Sequence, residues 1–378
     1  MTSSPAVPDR ATLSRGDFAR LLRVLQEDGY KLVGPTVRGG AIVNEAIDGI
    51  DDLPQGWTEA QEGGTYRLQR RGDAALFGYS VGPQSYKPFF FASTVSLWRA
   101  RRQDGSFKIL ERTRNMPRLA LVGARSCDLH AIAIQDEILL EGKFADPEYA
   151  ARRRGTFVVA VNCGHAGGTC FCVSMHTGPR VTRWFDLALT ELIVGGAHRF
   201  VVEVGSDAGA RVLARVDSEP ATEADRAAAE AVIARTASRM GRSLETEGIK
   251  DLLYRNAEHP RWDDVAGRCL ACTNCTLVCP TCFCSTVEDV TDVDGEHGER
   301  VQRWDSCFTM DHSHVHGGSV RASTRSRYRQ WLTHKVASWI DQFGMSGCVG
   351  CGRCITWCPV AIDITEEVAA IRASDRGA

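Results

Sequence analysis

The sequence predicts an α/β N-terminal domain followed by a smaller α+β C-terminal domain, and three observations support this fold class. The chain has 378 residues, 43% of them hydrophobic and 24% charged, which is ordinary for a globular protein with room for two domains. Strand-like and helix-like segments alternate through its first half. Of its 15 cysteines, eleven lie between residues 269 and 358, so the C-terminal part has a chemistry of its own.

Hydrophobic periodicity predicts the elements of the first domain. Residues 14–30 are amphipathic, and Ser14 and Asp17 have the spacing of a capping box, which predicts that a helix begins there. Residues 128–141 and the Ala-rich residues 225–240 also read as helices. Short apolar or β-branched runs predict strands within 31–35, 40–47, 65–71, 75–83, 119–127, 155–163 and 198–205.

Breaks in this pattern set the expected domain boundaries. Two polar, Pro-containing stretches, SEPATEADRA and AEHPRWDD, interrupt the alternation after residue 215. We therefore expect a flexible N-terminus at 1–12, an α/β domain at 13–215, a helical linker at 216–262 and a cysteine-rich domain at 263–378.

Two copies of one cysteine string dominate the second domain. Residues 269–280 and 348–359 both read C-x2-C-x2-C-x3-C-P, the spacing of bacterial ferredoxins with two [4Fe–4S] clusters. In such proteins the fourth cysteine of each string binds the other cluster, and the Pro suits the first turn of a helix. Zinc is the main alternative, but zinc sites usually pair two separated C-x2-C units. We predict a two-cluster ferredoxin-like domain whose crossed ligand sets are Cys269, Cys272, Cys275 with Cys358, and Cys348, Cys351, Cys354 with Cys279.

Four cysteines of the first domain are candidates for a third [4Fe–4S] cluster: Cys127, Cys163, Cys170 and Cys172. Cys127 and Cys163 each end a predicted strand, and the carboxyl ends of parallel strands meet at one edge of a sheet. A third cluster would raise the iron content from about 8 to about 12 per chain. The alternatives are free thiols in a Gly-rich loop, or the wall of a flavin or nicotinamide site, although the chain has neither a GxGxxG string nor a P-loop.

The two strings are separated by 68 residues, far more than a minimal two-cluster ferredoxin needs. This insert holds Cys282, Cys284 and Cys307, which we interpret as small residues packed beside the clusters, as extra ligands, or as a thiol-redox site at Cys282 and Cys284. The HSHVH run at 312–316 is either polar surface or a metal site. The basic stretch 321–335 is either a solvated face or positive charge that favours a reduced cluster and docks an acidic partner.

Charge and targeting features narrow the class of protein. Lys and Arg number 45 against 47 for Asp and Glu, so nothing favours nucleic acid or an anionic membrane as a general partner. The N-terminus lacks the apolar core of a secretory signal, and no apolar stretch is long enough for a membrane span. With no Ser–His–Asp or paired-carboxylate grouping, we expect a cytoplasmic, non-catalytic electron-transfer protein.

Over nearly its full length the chain resembles the iron–sulfur β subunits of cytoplasmic NAD(P)-linked [NiFe] hydrogenases of the sulfhydrogenase type, and the iron–sulfur subunit of anaerobic sulfite reductase is similar in plan. The resemblance rests on the strings ARSCDLHAI, NCGHAGGTCFCVSMHTGP, HPRWDDVAGRCLACTNCTLVCPTCFC, RWDSC and SGCVGCGRCITWCPVAIDIT. It implies an electron conduit, in an obligate hetero-oligomer, between a flavin- and NAD(P)-binding subunit and the [NiFe] hydrogenase subunits. Ser126 stands where the resemblance leads us to expect Pro.

Three alternatives to a hydrogenase subunit stay open on the sequence. The first is an electron-transfer subunit of a complex similar to anaerobic sulfite reductase. The second is a thiol-redox enzyme that uses Cys282 and Cys284. The third is a free-standing electron carrier in which the α/β domain is only a scaffold.

Overall fold

The computed structural model describes residues 10–110 and 116–375. The strands are, in chain order, β1 (Arg10–Ser14), β2 (Lys31–Arg38), β3 (Ala41–Ala46), β4 (Trp57–Glu62), β5 (Thr65–Arg70), β6 (Thr94–Gln103), β7 (Ser106–Leu110), β8 (Leu119–Ala124), β9 (Phe157–Val161), β10 (Leu187–Val194), β11 (Ala197–Val204), β12 (Glu219–Pro220), β13 (Ser285–Thr291), β14 (His297–Trp304), β15 (His314–Val315) and β16 (Gly318–Ser319).

The helices are, in the same order, α1 (Arg15–Glu27), α2 (Lys87–Phe90), α3 (Ser126–Leu139), α4 (Pro147–Arg153), α5 (Asp207–Leu213), α6 (Glu223–Ala237), α7 (Ile249–Arg255), α8 (Arg261–Arg268), α9 (Asn274–Leu277), α10 (Thr324–Thr333), α11 (Trp339–Phe343), α12 (Arg353–Thr356) and α13 (Ile364–Ser374). A π-helical segment, His334–Ser338, joins α10 to α11. Short 3-10 turns lie at Ile50–Asp52 and Asp311–Ser313.

Within the described ranges, eight strands form a mixed sheet in the order β12-β1-β11-β10-β9-β8-β2-β3. The central strands β2, β8, β9 and β10 are parallel, and the outer ones pair antiparallel. β8 and β9 are buried along their whole lengths, as expected for parallel strands covered on both faces. The expected α/β content is therefore present in the first part of the chain.

The start of the chain is more ordered than we expected. Residues 10–12 belong to β1, which pairs with β11 and buries Ala11 and Leu13, so the predicted flexible end is wrong there. Residues 1–9 lie outside the described residues. The predicted capping box is confirmed, because the Ser14 hydroxyl accepts from the Asp17 N–H at 3.1 Å and the Asp17 carboxylate accepts from the Ser14 N–H at 3.1 Å.

The strand predicted within residues 75–83 does not form. In this buried segment, side chains take the place of a strand partner: the N–H groups of Leu76 and Phe77 donate to the Glu191 carboxylate at 2.6 and 2.9 Å. The Ser80 N–H donates to the Glu59 carboxylate at 3.1 Å. Because buried backbone donors need partners of any kind, carboxylates satisfy them without a ladder. The apolar run therefore predicts a strand where the chain forms a buried irregular segment.

The insert between the cysteine strings does not stand apart from the first domain. Its hairpin β13–β14 pairs with β6 to give the sheet β13-β14-β6-β7, in which Gln302 lies opposite Val95. Strands about 200 residues apart in the sequence are thus neighbours in one sheet. We did not predict this pairing, because no periodic pattern in the sequence indicated it.

A second apolar core lies under the cysteine strings, and the predicted linker contributes to it. Leu252 and Leu253 of α7 and Trp262 of α8 are buried there against residues of α10 and α13. The segment 216–262 is therefore not a simple helical linker, because its second half packs as part of the C-terminal unit. Its beginning includes β12, which is the edge strand of the large sheet.

Candidate metal centres

The two cysteine strings have the same backbone geometry. Ala271 and Thr273 in the first string, and Gly350 and Gly352 at the matching positions of the second, all have positive φ angles between 50° and 74°. These left-handed residues fold each loop back on itself. As a result the Ala271 N–H donates to Cys269 Sγ at 3.4 Å, and the Gly350 N–H donates to Cys348 Sγ at 3.5 Å. N–H groups that point at sulfur are the contacts that tune a bound cluster.

Thiols from both strings line a cavity beside α9. Its walls include the four thiols of the first predicted ligand set, Cys269, Cys272, Cys275 and Cys358, together with Cys354 and apolar side chains of the second core. The enclosed volume of this cavity is about 30 Å³. Four thiolates around an apolar cavity are the donor set that a [4Fe–4S] cluster requires, so these residues fit the group. The structure brings the first predicted ligand set together, including the cysteine from the other string.

The second predicted ligand set is buried behind the first. Burial, followed by the thiolates of Cys348, Cys351 and Cys279, raises the pKa of Cys354. Cys351 and Cys279 are less than a tenth exposed. The free Cys354 thiol therefore resists ionisation, whereas a hydrogen bond from Cys282 lowers the pKa of Cys279. A bound metal cluster would take up the negative charge of these thiolates. Among the described residues no three His, Cys, Asp or Glu side chains converge on a position for one metal ion.

Lys335 is a buried cation that contacts the second set. It lies in the π-helical segment and is 5% exposed, with its Nζ at 3.2 Å from Cys279 Sγ and 3.1 Å from Thr281 Oγ1. Burial opposes its charge, but the Cys279 and Cys282 thiolates outweigh this and keep its pKa well above the usual range. The groups that raise this pKa are the thiolates of Cys279, Cys282 and Cys348. One of the two readings of the basic stretch, local positive charge, therefore has a residue that fits it.

The rest of the basic stretch has a structural role on α10. Arg325 and Arg329 both pair with Glu258, at 2.8 and 2.7 Å. In the HSHVH run, His312 Nδ1 donates to the Asp305 carboxylate at 2.8 Å, whereas His314 and His316 are exposed. The three histidines therefore do not share a partner.

The four upstream cysteines lie at the carboxyl edge of the large sheet. Cys127 begins α3 just after β8, and Cys163 follows β9 in the same way. Cys127 and Cys172 pack in one buried cluster with Cys351 of the second string. Cys170 Sγ is 3.9 Å from the Cys351 carbonyl oxygen. Burial, followed by Cys163 and Cys170, raises the pKa of Cys172. The predicted convergence of these loops is thus seen, directly beside the second ligand set.

Two buried arginines accompany these cysteines. Arg125 and Arg353 are each 2% exposed, and Arg353 pairs with Asp128 at 2.9 Å. Arg125 Nε and Arg353 Nη1 have no hydrogen-bond partner among the described residues. Burial alone would lower the pKa of both arginines, but neighbouring negative groups raise it. Cys163 has the largest such effect on Arg125, and Asp128 and Cys351 have the largest on Arg353. Ser126 is the first residue of α3, a position where Pro is also common, so this departure preserves the helix start.

The three cysteines of the insert lie around a second cavity. Cys282, Cys284 and Cys307 line it together with His334 and Lys335, and its enclosed volume is about 40 Å³. The thiol-redox hypothesis joined Cys282 to Cys284, but a hydrogen bond from Cys307 instead lowers the pKa of Cys284 to about 6. The Cys282 thiol is in turn hydrogen-bonded to Cys279. Sequence reasoning did not find the Cys284–Cys307 neighbourhood, since it depends on the hairpin β13–β14.

Comparison with known proteins agrees with this geometry. Residues 268–362 match the 4Fe-4S dicluster domain family, and this range includes all eight cysteines of the two strings. The chain is 33% identical over 279 residues to sulfhydrogenase 2 subunit beta of Pyrococcus furiosus, which covers 72% of this chain and 80% of the relative. No solved structure matches. In the described part of the chain, no helix has the length and apolar character needed to cross a membrane.

Proposed function

The chain belongs to the family of sulfhydrogenase β subunits, and from this premise we propose that it is the electron-transfer iron–sulfur subunit of a hydrogenase complex. The observation that carries the proposal is the pair of matching cysteine loops. Each loop has thiols that lie close to a cysteine of the other string. The [4Fe–4S] clusters held there supply one-electron transfer. The ligand sets are the crossed ones, Cys269, Cys272, Cys275 with Cys358, and Cys348, Cys351, Cys354 with Cys279.

The exposure of the cysteines suggests a direction through the molecule. Cys272 is exposed and Leu270, beside it, is 63% exposed, so the first set lies near the surface. Cys351 and Cys279 are buried, and behind them lie Cys127 and Cys172 against the first domain. We propose that the surface around Leu270 contacts one redox partner, and that the α/β domain faces the other. These partners are a flavin- and NAD(P)-binding subunit and the [NiFe] hydrogenase subunits.

We also propose a third [4Fe–4S] cluster at Cys127, Cys163, Cys170 and Cys172. The adjacency of Cys127 and Cys172 to Cys351 supports it, since this places the four thiols beside the second ligand set. Arg353 already pairs with Asp128, so the buried Arg125 provides the positive charge that an anionic cluster would offset. If the four cysteines were only apolar packing residues, there would be no reason for buried guanidinium groups with unpartnered N–H donors to lie beside them.

Replacing Cys127, Cys163, Cys170 and Cys172 together with alanine is expected to remove about 4 Fe per chain, the content of one cluster. Iron and acid-labile sulfide are measured on protein purified under anaerobic conditions. Cys163→Ser alone is the milder companion variant, because Cys163 is less buried than the other three. An unchanged iron content in both variants would show that these thiols bind no cluster.

Purification of the native assembly tests the function itself. We expect the chain to co-purify with a flavin-containing and a nickel-containing subunit, and its dithionite-reduced clusters to reoxidise on contact with the flavin subunit. Recovery of the chain with a sirohaem protein would favour the sulfite reductase-like alternative. Recovery of the chain alone, as a monomer that exchanges electrons with unrelated donors, would contradict the proposal.

We propose a cytoplasmic location. All the cysteines lie in the described ranges and are free thiols, and thiols that serve as metal ligands persist in reducing compartments.

A hetero-oligomer also suits the edge strand β7, on which Phe107 and Ile109 point to the same face and are each more than half exposed.

A further inference from the structure

The insert brings three cysteines together that neither string uses. Cys284 directly precedes β13 and Cys307 follows β14, so the hairpin holds them side by side at its base. The Asp305 N–H donates to the Cys284 carbonyl oxygen at 2.9 Å, which continues the ladder one step beyond the Ser285–Trp304 pair. Cys282 reaches the same cavity from the loop that follows Cys279. Sequence-distant thiols are therefore held in place by regular backbone pairing.

The cavity that they line is similar in size to the one proposed to hold the first cluster. The enclosed volume is about 40 Å³ here and about 30 Å³ there. Its three thiols are the same kind of donor that lines the cavity of the first set. His334 lies on the same wall, and burial followed by Lys335 lowers its pKa to about 4, so a neutral imidazole is also available as a ligand.

A second buried cation, Lys87, lies next to the loop that carries Cys282. Lys87 of α2 is 5% exposed and donates to the carbonyl oxygens of Leu277 and Cys282 at 3.3 and 3.4 Å. Its Nζ also lies 3.9 Å from the centre of the Trp304 ring. Burial lowers the pKa of Lys87, and Cys282 is the strongest of the neighbours that oppose this. The negative groups that act on its pKa are the thiolates of Cys282, Cys279 and Cys284. A buried cation is costly unless a negative charge offsets it.

We propose that Cys282, Cys284 and Cys307 bind an additional iron–sulfur cluster in this cavity. Three thiolates around a [4Fe–4S] core of charge +2 leave one net negative charge, which Lys87 balances, while Lys335 faces the second ligand set through Cys279. The site adjoins the second ligand set, because the Cys282 thiol is hydrogen-bonded to Cys279, and it accounts for the three cysteines that remain.

Metal content tests the site. In the full chain, isolated under anaerobic conditions, Cys282, Cys284 and Cys307 are replaced together with alanine, and iron, zinc and acid-labile sulfide are counted. We expect about 4 Fe and a matching amount of sulfide to be lost, while the electron paramagnetic resonance signals of the clusters in the two strings persist. Ser285→Ala, at the start of the same hairpin, is the matched control and should lose none.

Cys307→Ser, which nearly preserves side-chain size, guards against a variant that fails to fold, and the same iron must be lost in it. Iron that is unchanged in both variants overturns the proposal, as does stoichiometric zinc at the site. A Cys284–Cys307 disulfide in the wild-type protein, mapped by mass spectrometry after anaerobic isolation, also overturns it. Failure of the proposed hydrogenase role would show instead in the partners recovered, so the two results are distinguishable.

Discussion

Cys358→Ala is expected to remove about 4 Fe from the cluster bound by the first string and to leave the cluster bound by its own string intact. The physical reason is the position of Cys358, which lines the cavity with Cys269, Cys272 and Cys275 although it is 83 or more residues away from each. Loss of a thiolate ligand exposes an iron to water and lets the cluster fall apart. We expect electron transfer through the chain to stop.

A pair of double variants identifies which cluster is lost. If Cys358 and Cys272 serve the same cluster, the double variant Cys358→Ala with Cys272→Ala should still lose only about 4 Fe. Cys358→Ala with Cys351→Ala should lose about 8 Fe, because two clusters are affected. The reverse result, a loss of about 8 Fe in the Cys358–Cys272 double variant and about 4 Fe in the Cys358–Cys351 double variant, would mean that each string binds its own cluster. The crossed assignment would then be wrong.

Lys335→Met is expected to lower the reduction potential of the cluster bound through Cys279 by on the order of 100 mV, from the Coulomb interaction of adjacent charges at an effective dielectric of about 20. A buried positive charge 3.2 Å from Cys279 Sγ favours the more negative, reduced form, so its removal favours the oxidised form. Methionine preserves the length and apolar stem of the side chain. The measurement is a redox titration followed by electron paramagnetic resonance.

Two variants serve as controls for Lys335. Lys335→Arg keeps the charge and should shift the potential far less than Met does. Lys250→Met removes an exposed lysine that pairs with Asp341 at 2.9 Å, and solvent should screen that loss almost completely. If Lys250→Met shifts the potential as much as Lys335→Met does, the effect is one of net charge and the local contact is not its cause.

Local spacing accounts for most of what could be predicted about the site. The Ser14–Asp17 capping box is confirmed, and the match to a dicluster domain covers the eight cysteines of the strings, because both patterns depend on residues a few positions apart. Cys127 and Cys163 could be expected to lie close to each other's loops, since both follow segments with a clear β-strand pattern. Where buried carboxylates replaced a ladder, as Glu191 does for Leu76, apolar periodicity gave the wrong element.

The sequence alone determines the kind of chemistry. The two cysteine strings and their repeated spacing are short-range patterns, and they are enough to predict iron–sulfur clusters. The surroundings of those cysteines depend on tertiary packing, which pairs β14 with β6, buries Lys335 and Lys87, and brings Cys284 to Cys307. Such contacts join residues far apart in the chain, and their free energy arises from burial and pairing that no local pattern encodes.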